Sequence, residues 1–305
     1  MASGPEMEPL VIECSLNEQV TKDRNPSVPI SQDEVVEDAL AAAAAGASIL
    51  HFHARDAETG DLLHPGTEWY RDVMRAIRRE NADVLLYPTY GASPTPEERF
   101  SHLAALADDP EVRLDFATID PGAVNYADFD WGGDAKGLGW DYILSVSHTE
   151  IEYFFGLARE KAIAYSFTVR ELGHVRHVLA YRALGWIDDP LFFKITLSEN
   201  HAWGAPPTVA GLRMLTEGCL PEDVPYRWMT YVEGEGHAAL SRFAVEQGGH
   251  VRTGVGDNPL FEGERLTNAE QVERVVGYAR EIGREIADPA GTRALLSTSP
   301  KRREA

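Results

Sequence analysis

Ala45-Gly46-Ala47-Ser48-Ile49-Leu50-His51-Phe52-His53-Ala54-Arg55-Asp56 is the stretch whose reading decides the fold. Upstream of it lies a helical pattern over 32–45, opened by Ser31 with Glu34 three residues later, which is a capping box. Residues 48–53 then read as a strand, and a polar loop through Asp56, Gly60 and Pro65 leads to a second helix over 68–79. The same alternation continues along the chain. Further strands are expected at 10–16, 84–88, 114–119, 163–169, 191–197, 227–232 and 249–254, with helices between them. One of these helices starts at Thr95-Pro96-Glu97-Glu98, a Thr N-cap followed by Pro and acidic residues in the first turn.

Eight strand-plus-helix units in 305 residues fit an α/β chain folded as a (β/α)8 TIM barrel better than an open doubly wound sheet. No Gly-x-Gly-x-x-Gly follows the first strand and no Walker A loop occurs, so the common nucleotide folds have no support. The expectation is one catalytic domain over 1–305. An irregular excursion is expected near 120–147, around the glycine-rich stretch 132–139, and a short helix beyond Asp288 runs into a frayed charged tail.

Lys and Arg number 28 against 49 Asp and Glu, a net charge of −21 that repels polyanions and argues against nucleic-acid binding. Two cysteines far apart, Cys14 and Cys219, imply no disulfide framework. No apolar run approaches the roughly 20 residues that span a bilayer, and no charged and apolar leader pattern opens the chain. A cytoplasmic protein without membrane partners is expected.

Barrel active sites lie at the C-terminal ends of the strands, and His51 and His53 end strand two. Separated by one residue, they project from the same face of a strand. Two neutral nitrogen donors at a barrel mouth suit a divalent metal, above all zinc, which binds imidazole and keeps a position open for substrate. The alternative is a pair of histidines satisfied by core or loop hydrogen bonds. Arg55 and Asp56, just beyond, either orient these ligands or pin the loop to the rim.

Gly248-Gly249-His250-Val251-Arg252-Thr253-Gly254-Val255-Gly256-Asp257-Asn258-Pro259 is the second dense segment. A short strand running into Gly254, Gly256 and Pro259 must turn sharply, which presents Asp257 and Asn258 at the top of strand eight. There Arg252 can meet Asp257 and keep its carboxylate ionised as a base, or the two form only a strand-end ion pair.

With Pro26-x-x-Pro29-Ile30, the stretch 45–56, Leu172-Gly173-His174, the segment 248–254 with Asp257-Asn258, and Thr267-Asn268-Ala269-Glu270-Gln271-Val272-Glu273-Arg274, the chain resembles the β-keto acid cleavage enzymes. The family is typified by 3-keto-5-aminohexanoate cleavage, and the resemblance runs from about residue 9 to 293. It implies a zinc-containing (β/α)8 barrel that condenses a β-keto acid with acetyl-CoA and splits the adduct into acetoacetate and a new acyl-CoA. It also implies His51 and His53 as metal ligands, Arg252 and Asp257 as the pair that deprotonates the keto acid, and Thr118 as a pocket threonine. Thr168, Thr89 and Asn258 join Thr118 as candidate substrate contacts, and a homo-oligomer, a tetramer by resemblance, is expected. A metal-dependent aldolase or hydrolase on the same fold, or a catalytically altered binding relative, stays open beside this reading.

Three departures from the family pattern stand out. Gly256 occupies the place of a zinc-binding glutamate, so the third protein ligand must come from elsewhere. Glu13 on strand one is the replacement expected here, with the Glu233-Gly234-Glu235 loop or a two-histidine site as alternatives. Gln19, with Glu18 adjacent, replaces a first-loop glutamate. Thr168 replaces the glutamate that meets the prototype substrate's amino group, which points to a different β-keto acid. Tyr87, Tyr90 and Trp203, expected near the mouth, suggest a less cationic substrate.

Overall fold

The computed structural model describes residues 7–114, 116–127, 141–220 and 222–296. In chain order the elements are β1 (Ile12–Ser15), α1 (Gln32–Ala45), β2 (Ile49–Phe52), α2 (Thr67–Glu80), β3 (Leu85–Pro88), α3 (Pro96–Ala107), β4 (Phe116–Ile119), β5 (Ala123–Ala127), β6 (Asp141–Ser145), α4 (His148–Lys161), β7 (Ala164–Val169), α5 (Leu172–Ala183), β8 (Leu191–Ser198), α6 (Val209–Leu215), β9 (Tyr226–Glu233), α7 (His237–Glu246), β10 (His250–Thr253), α8 (Asn268–Glu281) and α9 (Pro289–Leu296). Eight strands form one sheet in the order β3-β2-β1-β10-β9-β8-β7-β4, and every pairing within it is parallel. β3 and β4, the two ends of that order, face each other, so the sheet curls into a nearly closed TIM barrel with helices outside.

The helix starts follow the expected capping chemistry. Ser31 Oγ accepts from the Glu34 N–H at 3.3 Å while Glu34 Oε2 accepts from the Ser31 N–H at 3.0 Å, and Thr95 Oγ1 accepts from the Glu98 N–H at 3.2 Å. Ser147 with Glu150, and Thr267 with Glu270, build two more such boxes at α4 and α8. The apolar core runs from Leu10 to Leu296 between the barrel's outer face and the helices.

The excursion near 120–147 carries more order than its composition suggests. β5 and β6 pair antiparallel, with Asn125 opposite Ile143, into a two-stranded ribbon in which Val124 and Ala127 are buried and Ala123 and Asn125 are exposed. The glycine-rich stretch 132–139 and the tail 297–305 lie outside the described residues. Among the described residues no helix is long and apolar enough to cross a membrane.

Strand register sets the height of each inward-facing side chain. Glu13 on β1 is level with Arg252 on β10 and Ile49 on β2; one pleat higher, Ser15 is level with His51, and His51 with Tyr87 on β3. Inward-facing polar residues thus fill the barrel's interior: Glu13, Ser15, Lys194 and Thr196 are completely buried, and Arg252 is nearly so.

Candidate active site

The two histidines converge as their spacing predicts. His51 Nε2 and His53 Nε2 are 3.2 Å apart, with the rings edge to face. Tyr87 fixes the first ring by stacking beneath it at 4.3 Å and by offering its carbonyl oxygen to His51 Nδ1 at 3.2 Å. Asn17 fixes the second through its backbone, accepting from the His53 N–H at 2.9 Å and donating to the His53 carbonyl at 3.1 Å.

The third group at this point is Glu18. One carboxylate oxygen lies 3.0 Å from His51 Nε2 and the other 2.6 Å from His53 Nε2. Among the described residues, Glu18, His51 and His53 are the one group of three whose ligand atoms could hold a metal ion. The protonation of His51 argues for a cation. Facing a carbonyl, His51 Nδ1 can only be an N–H donor, so in the neutral ring Nε2 is a bare lone pair. Burial lowers the His51 pKa to about 4 even though Glu18 opposes the shift, so the ring is neutral at pH 7. That lone pair then points at a carboxylate, which is repulsive unless a cation lies between them. Two imidazole nitrogens and a carboxylate oxygen are a donor set suited to zinc, with room for substrate in a fourth position.

Glu13, the expected third ligand, is committed elsewhere. Its carboxylate takes the Lys194 ammonium at 2.6 and 2.8 Å, the Tyr87 hydroxyl, and Arg252 Nη1 at 3.1 Å. Register explains the correction, because Glu13 lies one pleat below His51, the β1 residue level with His51 is Ser15, and a carboxylate reaches the two rings only from the loop that follows. In the alternative loop, Glu233 accepts from Ser198 Oγ at 2.9 Å and lies 3.6 Å from His201. Lys194 escaped the sequence reading, and Glu18 entered it only as the neighbour of Gln19 and not as a ligand; its other signal is a carboxylate three residues beyond the end of strand one.

Arg252 and Asp257 do meet. Arg252 Nε and Nη2 each donate to one Asp257 oxygen at 2.7 Å, a two-point grip. The same Nη2 donates to Glu18 at 2.6 Å and to Ser15 Oγ at 3.1 Å, Nη1 donates to the Tyr87 hydroxyl at 3.0 Å, and the guanidinium lies 4.5 Å over the Tyr231 ring. Burial raises the Asp257 pKa to about 6 against the pull of Arg252, so the carboxylate is ionised at neutral pH yet more basic than an exposed aspartate.

The remaining predicted contacts divide. Thr118 on β4 and Thr168 on β7 come together with hydroxyls 3.1 Å apart, and Ser166 donates to Thr118 at 3.1 Å. Asn258 instead ties β9 to the turn after β10, donating to the Val232 carbonyl at 2.6 Å and accepting from the Gly234 N–H at 2.8 Å. Thr89 follows β3, and its carbonyl faces His102 Nε2 at 2.8 Å. Arg55 pins the rim through the carbonyls of Val20 and Gly60, at 2.5 and 2.8 Å, and Asp56 caps its own loop. Tyr87 belongs beneath the histidines rather than at the mouth. Tyr90 donates to Asp120 at 2.5 Å, Asp120 pairs with Arg170 of β7's end, and the Arg170 guanidinium lies 5.5 Å over Tyr126 and 5.8 Å over Trp203.

Comparison with known proteins agrees with this architecture. The family model for beta-keto acid cleavage enzymes matches residues 9–297. A 3-keto-5-aminohexanoate cleavage enzyme of Fusobacterium nucleatum is 30% identical over 296 residues, covering 95% of this chain and 98% of that protein. A 3-oxoadipate:acetyl-CoA acetyltransferase of Cupriavidus necator is 26% identical, covering 95% of each. Among solved structures, apo ObcA superposes with a TM-score of 0.69 at 15% identity, over 90% of this chain and 66% of that longer one, a likeness of fold. The chain belongs to the β-keto acid cleavage enzyme family.

Proposed function

We propose that this enzyme uses a divalent metal, zinc by its donor set, to condense a β-keto acid with acetyl-CoA, releasing acetoacetate and a new acyl-CoA. The observation that carries the reading is the meeting of Glu18, His51 and His53 with the Arg252–Asp257 pair at one end of the barrel. A cation held by those three residues would supply the Lewis acid that stabilises the enolate of a chelated β-keto carboxylate. The protein's own residues do the rest. Asp257 takes the α-proton, and the two-point grip of Arg252 fixes the direction of its oxygens and keeps the carboxylate ionised before that transfer.

The charges support a cation. Among the groups joined by ion pairs, Glu13, Glu18 and Asp257 against Lys194 and Arg252 leave a surplus of one negative charge, and the Glu233 carboxylate, which acts on both Glu18 and Asp257, adds to it. A divalent ion offsets that surplus. Farther out, Thr118 and Thr168 present paired hydroxyls and no carboxylate, and Arg170 is already neutralised by Asp120. Such surroundings favour an uncharged distal chain over the ammonium of 3-keto-5-aminohexanoate.

Zinc-replete protein incubated with acetyl-CoA and a panel of 3-oxo acids bearing neutral, cationic and anionic chains tests this, with acetoacetate and acyl-CoA followed by mass spectrometry. Turnover is expected on neutral chains, dependent on acetyl-CoA and abolished by chelation. Cleavage without acetyl-CoA would assign an aldolase or hydrolase instead, and silence across the panel would refute the reading.

A further inference from the structure

Glu18 reaches the histidines from an unusual backbone. Its φ is +40°, in the left-handed region that residues with a side chain rarely occupy, at the turn that follows β1. The space its side chain fills is bounded on the other side by Gly256, whose N–H donates to the Ser15 carbonyl at 3.0 Å. A Cβ on residue 256 would lie 2.7 Å from Ser15 Oγ, 2.9 Å from Asn17 N and 2.9 Å from Glu18 Cγ. Non-bonded carbons sit at about 3.5–4.0 Å, so a side chain at 256 and Glu18 in its present position exclude each other. No left-handed φ is recorded at Gly256, so the demand for glycine there is one of space and not of backbone conformation.

We infer that Glu18 and Gly256 form an interlocked pair, in which the missing side chain at 256 is what admits Glu18 to the His51–His53 donor set. Gly256 is then a positioning residue for a ligand on a different strand's loop. The inference rests on the reading of Glu18, His51 and His53 as a metal site. It also explains how the first and last barrel strands share one centre: Arg252 Nη2 touches Glu18 Oε1 at 2.6 Å and Asp257 Oδ1 at 2.7 Å, so pushing Glu18 outward loosens the hold on Asp257 as well.

Zinc affinity of the purified full-length protein, by competition with a chromophoric chelator and by metal content after dialysis, tests the pair. Glu18→Ala is expected to weaken binding tenfold or more. Gly256→Ala is expected to do the same although all three donor residues remain, and the double variant is expected to bind within threefold of Glu18→Ala alone. Circular dichroism and thermal unfolding of the metal-free proteins report folding separately. Gly256→Ala binding zinc within twofold of wild type would overturn the interlock. So would a double variant weaker than Glu18→Ala by the full Gly256→Ala factor, because the glycine would then act through the histidines or the fold. Should Gly256→Ala not fold, Glu18→Gln decides, since affinity unchanged in that isosteric variant removes the carboxylate from the site. Wild-type protein that takes up no divalent ion would sink the metal reading itself, an outcome distinct from normal wild-type binding with unaffected variants.

Discussion

Replacing Lys194 by methionine isolates the part of the barrel interior that carries charge without touching the histidines. The ammonium is completely buried, held at 2.6 and 2.8 Å by Glu13 and at 2.7 Å by the Tyr87 hydroxyl, while it lies 4.3 Å over the Tyr87 ring and 5.3 Å over that of Phe116. Burial lowers its pKa to about 8 with Glu13 opposing, so at pH 7 the ammonium is charged and the ion pair is present. Methionine keeps an unbranched apolar chain in the same space and removes the ammonium, with its charge and its N–H bonds to Glu13 and Tyr87. Breaking a buried pair by deleting one partner costs about 3–5 kcal/mol, because the other charge is left behind. Here Glu13 keeps Arg252 and Tyr87, which places Lys194→Met near the lower end, about 3 kcal/mol. In a chain this long each kcal/mol moves Tm by roughly 2 °C, so a drop of about 6 °C is expected. Lys194→Met/Glu13→Gln removes both charges and leaves a neutral acceptor for Arg252, so it should regain most of the loss. Urea unfolding followed by two probes, with calorimetry, measures both. A single variant within about 1 kcal/mol of wild type, or a double no more stable than the single, would refute the view of Glu13 as a structural counter-charge.

Two further outcomes follow from buried carboxylates. With Asp257 at about 6, kcat/KM should fall tenfold per unit as pH drops below that value, because the protonated acid cannot accept the α-proton. Asp257→Asn should lose about 10²–10⁴-fold of activity, and an acid limb that persists in its residual rate would assign the base elsewhere. Asp38 on α1 has its pKa raised to about 7, chiefly by burial, with the Asn268 hydrogen bond opposing. Its folded pKa exceeds the unfolded one, so native protein binds the extra proton, and stability falls as pH rises from about 4 to 7. Asp38→Asn should therefore stabilise the protein at pH 8 by about 1–3 kcal/mol and do little at pH 4; equal unfolding curves at pH 8 would count against it.

The fold was legible because its signals are local. Capping boxes at Ser31 and the Thr95-Pro96 start fix helix beginnings within four residues, and the His51–His53 spacing becomes one face of a strand by the pleat alone. Arg252 and Asp257 were legible for a related reason: five residues apart across a tight turn, they had few places to go. Glu13 against Glu18 shows where such reading stops. Strand one does neighbour the strand of the histidines, but the height at which a carboxylate meets them depends on a register of two residues between β1 and β2, and periodicity says nothing about register. Glu18 then needs a left-handed turn and a vacancy at residue 256, which are separated by most of the sequence.

Burying Glu13, Lys194 and Arg252 in a barrel that could be filled with aliphatic side chains gives little net stability, since neutral replacements of whole charge groups are commonly tolerated. What the group does supply is direction. Arg252 carries five N–H donors against six acceptor contacts, two of them on Asp257 and the others on Glu13, Tyr87, Ser15 and Glu18, with three sharing Nη2, which leaves the guanidinium plane no alternative orientation. Glu13 in turn is fixed by Lys194 and Tyr87, and Tyr87 supports the His51 ring from below. The two oxygens that matter most, one on Glu18 beside the imidazoles and one on Asp257, hang from the same nitrogen. A charge placed between Glu18 and the histidines is thereby felt at Asp257 with no side chain having to move, which is the electrostatic preorganisation that the proposed proton abstraction by Asp257 requires.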